Sequence, residues 1–146
     1  MPAIFSIPVR VYYEDTDSGG VVYHSNYLNF MERARTEWLR ALGFEQDELL
    51  RAHGVIFAVS AANVSFHKPA RFNELLAVTV ALGRRGAASL TLKQEVRRGD
   101  MLLTSAEVRI ACLDAKRFLP VAIPAQVSAS VLATYGKAAT SGLPGN

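Results

Sequence analysis

From Asn26 onward, apolar residues return every third or fourth position. Tyr27, Phe30, Met31, Ala34, Trp38, Ala41 and Leu42 share one helical face, while Asn29, Glu32, Arg33, Arg35, Glu37 and Arg40 fill the other. The pattern predicts one long amphipathic helix, capped by Ser25 or Asn26 and ended by Gly43. Leu49, Leu50 and Ala52 predict a shorter helix over Glu45 to His53, before Gly54.

Around these helices the period changes to that of strands. Pro8 to Tyr13, with Val9, Val11, Tyr12 and Tyr13, reads as a first strand. Val55 to Phe66 is rich in β-branched and aromatic residues, and Leu75 to Leu82 is almost wholly apolar, as a strand buried on both faces is. In Ala88 to Arg97 the alternation is plain: Leu90, Leu92 and Val96 fall on one side, and Ser89, Thr91, Lys93, Glu95 and Arg97 on a wet one. Arg98, Gly99 and Asp100 turn the chain into Leu102 to Cys112, which completes a hairpin. Pro120, Pro124 and the segment beyond Thr134 interrupt regular structure. A long helix among consecutive strands implies an α+β domain whose antiparallel sheet covers the helix. Residues 1–133 form that domain in this reading, and 134–146 a flexible tail.

Composition narrows the setting. With 146 residues, half of them hydrophobic, the chain builds one substantial core and is short for two domains. The longest nearly apolar run, Val55 to Val64, contains Ser60 and Asn63 and is far below the roughly 20 residues that cross a bilayer. The amino-terminal residues carry neither a basic region nor a long apolar one, so the expected location is the cytoplasm. The one cysteine, Cys112, fits a reducing compartment and reads as a buried small hydrophobe. A formal charge of +3 without a basic run or aromatic–basic repeat argues against nucleic acid; it suits a phosphate-bearing small molecule.

The chemistry concentrates between the first strand and the long helix. Glu14, Asp15 and Asp17 precede Gly19 and Gly20, and the chain then enters the helix through Tyr23, His24 and Ser25. Glycines let the backbone turn and approach a ligand, and a helix start offers unpaired N–H groups to developing negative charge. Taken alone, an Asp here is most often a cap or turn residue, and Tyr23 and Tyr27 are most often core.

Asp15-Thr16-Asp17, Gly20-Val21-Val22-Tyr23-His24-Ser25-Asn26-Tyr27, Phe30-Met31-Glu32-Arg33-Ala34-Arg35-Thr36-Glu37 and Phe66-His67-Lys68-Pro69-Ala70 resemble the hotdog-fold acyl-CoA thioesterases of the 4-hydroxybenzoyl-CoA thioesterase family, nearest its tol-pal-associated branch. The likeness runs from about Ile7 to about Val127. It implies a sheet wrapped around one long helix and an acyl-CoA substrate, with coenzyme A as part of the substrate and no separate cofactor. It further implies Asp17 as the catalytic carboxylate and the His24 backbone N–H as oxyanion donor, with Asp15 supporting the loop. Tyr23 and Tyr27 become candidates for the acyl pocket, and Lys68, Arg84, Arg85 and Ser89 candidates for coenzyme A contacts. The spacing Arg84-Arg85-Gly86-Ala87-Ala88-Ser89 departs from the related pattern, and an exposed charge pair is the plain alternative. The resemblance also implies a homodimer or homotetramer, with a cell-envelope or lipid-metabolism protein as a further partner.

No zinc-type His/Cys spacing, Gly-x-Ser-x-Gly elbow, phosphate loop or dinucleotide fingerprint occurs. Thioester hydrolysis needs none of them, because a thiolate leaves with little protonation. A hotdog hydratase lacks support, as no His-Phe-Pro-Gly-like segment is present. Two functions stay open: acyl-CoA hydrolysis through Asp17, as nucleophile or general base, and a non-catalytic acyl-binding or interaction module.

Overall fold

A computed structural model describes residues 4–136. The long amphipathic pattern forms α1, His24–Ala41, which buries Tyr27, Phe30, Met31, Ala34, Trp38 and Leu39. It stops where expected. Gly43 sits at φ +104, its N–H reaching Arg40 O at 3.0 Å, while Phe44 N–H reaches Leu39 O at 2.9 Å. This paired closure satisfies carbonyls that the helix leaves open. The start differs from the expected cap: Tyr23 is the N-cap, and Ser25 and Asn26 lie inside the first turn without a side-chain cap bond. A short α2, Gln46–His53, follows and ends at Gly54 in the left-handed region.

Five antiparallel strands make one sheet: β1 (Phe5–Arg10), β2 (Val55–Phe66), β3 (Leu75–Arg85), β4 (Ser89–Arg98) and β5 (Met101–Asp114), in the order β1-β3-β4-β5-β2. The consecutive hairpins β3-β4-β5 bring alternate apolar residues to one face, and Leu76, Val78, Val80, Leu90, Leu92 and Val96 are each at most 1% exposed. α1 lies on this face over β3, β1 and β4. Five strands around one long helix give the expected hotdog α+β fold.

Four further features depart from the sequence expectation. β3, expected to be buried on both faces, fully buries only the face of Leu76, Val78 and Val80, and Leu75 is exposed. β1 is displaced toward the amino terminus, because Tyr13–Asp15 form a 3-10 turn rather than a strand end, leaving Tyr12 and Tyr13 exposed. Thr91, expected on the wet face, is buried. A third helix, α3 (Ala125–Tyr135), begins after Pro124 and docks on α1, with Trp38 Nε1–H donating to Tyr135 Oη at 2.7 Å. The domain boundary expected after residue 133 thus falls inside α3; residues 137–146 of the expected tail lie outside the described residues.

A polar inset crosses the core. Gln94 on β4 donates to Met31 O on α1 at 3.1 Å and accepts from Arg35 at 2.9 Å, tying the helix to the sheet centre. Burial pulls the Arg35 guanidinium pKa below its ordinary value, partly opposed by Glu32.

Candidate active site

Two aspartates two residues apart take opposite environments because the 3-10 turn separates them. Asp15 is 4% exposed; its Oδ2 accepts the Tyr12 N–H at 2.9 Å and its Oδ1 accepts from Asn26 Nδ2 at 3.0 Å. Its backbone carbonyl also accepts the Tyr23 N–H at 3.0 Å. One residue therefore ties the β1 end, the loop and the first turn of α1 together. Both oxygens of this buried carboxyl group thus have a donor, which offsets the cost of burying them.

Asp17 is exposed and heads the next turn. Its N–H donates to Val21 O at 2.9 Å, its carbonyl accepts from Gly20 N–H at 3.0 Å, and its Oδ1 accepts the Gly19 N–H at 2.8 Å. Gly20 adopts φ +81, a conformation that a side chain would strain. The side chain is thus oriented through Oδ1, while Oδ2 has no hydrogen-bond partner among the described residues.

An open cavity of about 260 Å³ is lined by Asp17, Val21, Val22, Tyr23, His24, Tyr27, Phe66, His67, Lys68 and Pro69. The strand-like segment after β2 closes it, since Val22 N–H donates to Ala70 O at 2.9 Å and Val21 bridges to Arg71. Tyr27 is 3% exposed, and its hydroxyl accepts the Ala70 N–H at 3.0 Å. Burial raises the Tyr27 pKa, and the Ala70 bond opposes this. The His24 ring meets Phe66 edge-on at 5.1 Å between centroids, and Phe66 meets Tyr27 at 5.5 Å. The first backbone amides of α1, at His24 and Ser25, have no acceptor among the described residues, so the positive end of the helix opens near the carboxylate.

The cavity therefore gathers Asp17, Tyr23, His24, Tyr27 and Lys68 from the residues singled out by sequence. Asp15 lies behind it as a loop anchor. Arg84, Arg85 and Ser89 lie elsewhere. Arg84 lines a separate depression with Ala61, Ala62, Asn63, Thr91, Glu107 and Arg109. A bulge between Leu82 and Arg84 shifts the register there, and a Cβ on Gly83 would meet Thr91 O at 3.1 Å. Ser89 closes the β3–β4 turn, its carbonyl accepting the Gly86 N–H at 2.8 Å. Residue-by-residue reasoning misses Val22, Phe66 and Pro69, whose types read as core or turn; their only signal is membership of the quoted motif segments.

Among the described residues no group of His, Cys, Asp and Glu is arranged to hold a metal ion, and no helix is long and apolar enough to cross a membrane. A carboxylate with one free oxygen, beside an apolar pocket and a helix start, is equipped to act on a polarised carbonyl without a metal.

The family model described as Thioesterase superfamily matches residues 19–105. The chain is 44% identical to "Acyl-CoA thioesterase YbgC" of Haemophilus influenzae over 86% of its own length and 93% of that protein. It is 42% identical to "Acyl-CoA thioester hydrolase YbgC" of Escherichia coli, over 86% and 94% of the two chains. Among solved structures, a probable thioesterase from Bartonella henselae superimposes with a TM-score of 0.79 at 34% identity, covering 84% of this chain and all of that one (100%).

Proposed function

The chain belongs to the Thioesterase superfamily, and from that premise we propose that it is an acyl-CoA thioesterase, releasing a free carboxylic acid and coenzyme A with Asp17 as the catalytic carboxylate. The observation that carries the reading is the Asp17 side chain, oriented by the Gly19 N–H and lining one cavity with the start of α1. An acyl carbonyl in that cavity meets a carboxylate from one side and helix-start amides from another. Hydrogen-bond donors aimed at the forming oxyanion are a large source of acceleration in acyl transfer. In this reading the His24 N–H is the oxyanion donor, and the imidazole packs against Phe66 as a wall.

Two routes use the same free oxygen. Asp17 Oδ2 attacks the thioester carbonyl, expels the thiolate and forms an anhydride that water then hydrolyses; or Oδ2 takes a proton from water as that water attacks. Both end with the acid, the thiol of coenzyme A and a regenerated carboxylate. Neither needs a metal. Tyr23 and Tyr27 flank the acyl group, and Lys68 on the cavity wall offers its charge to the anionic part of the substrate.

Coenzyme A extends beyond a cavity of this size, and Arg84, Arg85 and Ser89 do not line it in one chain. The depression that holds Arg84 is also lined by Ala61, Ala62 and Asn63 of β2, an edge strand of the sheet that a second copy can pair with. In this reading these residues serve the partner's substrate.

Release of free thiol from a panel of aliphatic and aromatic acyl-CoA substrates, with and without chelator, tests the proposal. Turnover of at least one substrate, unchanged by chelator, is expected. Binding without turnover by folded protein would replace this reading with that of an acyl-binding module.

A further inference from the structure

Two aromatic residues that line the cavity beside Asp17 are held to different degrees. Tyr27 is the fixed one: it is 3% exposed, edge-on to Phe30, and held at its hydroxyl by the Ala70 N–H at 3.0 Å. Phe66 is held less tightly. It ends β2 at the sheet edge and is 47% exposed, and its ring makes edge contacts with His24 and Tyr27. Its backbone is nonetheless held, because the next two amides, His67 and Lys68, both donate to Leu103 O, at 2.8 and 3.1 Å. Behind Phe66 stands Thr104, its ladder partner on β5, fully buried, with a hydroxyl that finds no partner among the described residues.

We propose that Phe66 is the residue that limits acyl length, its ring walling the Asp17 cavity so that compact acyl groups are favoured over long aliphatic ones. The inference rests on the acyl-CoA thioesterase reading above. The cavity's 260 Å³ lies below the roughly 300–1,000 Å³ of pockets that enclose larger organic ligands, so a compact acyl group fits it as it stands. A longer chain must pass the aromatic residues that line the cavity, and Phe66, in edge contact with both His24 and Tyr27, stands among them.

The test compares wild type with Phe66→Ala and Phe66→Trp over straight-chain acyl-CoA substrates from butyryl to decanoyl. Phe66→Ala is expected to raise the decanoyl-to-butyryl ratio of kcat/KM by about tenfold or more, the scale of methylene discrimination in apolar pockets; Phe66→Trp is expected to lower it. An unchanged ratio in both variants, or an equal fall at every chain length, overturns the proposal. Calorimetric binding of non-hydrolysable alkyl-CoA thioethers of the same lengths separates this inference from the catalytic one. A length dependence of Kd that shifts in Phe66→Ala upholds the wall even in a protein without turnover. Thioethers that fail to bind, or bind with the same length dependence in both proteins, overturn it.

Discussion

At the scale of single residues, the two aspartates of the entry loop are separable by experiment because each substitution changes a different bond. Asp17→Asn keeps the carbonyl oxygen that accepts the Gly19 N–H and so preserves the turn while removing the anion. It is expected to fold normally and to lose at least about a hundredfold in kcat, the scale of a lost general base or nucleophile. Asp15→Asn instead puts an amide where both oxygens of a buried carboxylate accept hydrogen bonds, from the Tyr12 N–H and Asn26 Nδ2. One donor is left unpaired, so the variant is expected to lose about 1–3 kcal/mol in urea unfolding and less turnover than Asp17→Asn. Near-normal turnover in folded Asp17→Asn would remove the carboxylate assignment. Sequence made this loop legible because its acids, glycines and helix start fall in a specific order. It did not show that Asp15 is buried, since two residues of strand would aim both carboxylates the same way and only the 3-10 turn parts them.

At the scale of elements, α1 was legible because Tyr27, Phe30, Met31, Ala34 and Trp38 keep the helical period and are buried, although Leu39, outside the stripe read from sequence, is buried too and Ala41, read on it, is exposed. α3 was not. Ala125–Tyr135 is mostly small and apolar, has no polar cap residue, and follows Pro124, so neither a stripe nor a start signal marks it. Its anchor is long-range: Tyr135 meets Trp38 across 97 residues. The same remoteness hides Phe66, an aromatic at a strand end that reads as core until the cavity beside it is seen. Burial raises the pKa of both Tyr27 and Tyr135 above the ordinary 10.0, each partly offset by its hydrogen bond. A raised folded pKa means that the unfolded chain ionises first as pH rises. The contribution is therefore complete below pH 10 and is lost on rising through the folded values. Chemical unfolding followed from pH 8 to 11.5 is expected to show stability falling above about pH 10, more shallowly in Tyr135→Phe. A slope equally steep in that variant would assign the alkaline loss to other groups.

At the scale of the whole molecule, the two edges of the sheet are protected unequally. β1 is 6 residues long and carries Pro8 and Arg10, both of which discourage further pairing. β2 is 12 residues long, Val55–Phe66, with no charge and no proline, and most of it from Val59 onward is exposed. An edge of that kind is a template for another strand. For the homodimer expected from the sequence resemblance we propose β2 as the pairing edge, with the Arg84 depression beside it. Val59, half exposed near the centre of that edge, is the position to test. A lysine there places a charge in the proposed seam while leaving the Asp17 cavity untouched, because Val59 does not line it. Light scattering is expected to find wild type as a dimer or tetramer and Val59→Lys shifted toward monomer, with thiol release falling alongside. Fully active wild-type monomer at assay concentration would refute the shared-edge arrangement, and Arg84, Arg85 and Ser89 would then lose their proposed contact with the partner's substrate.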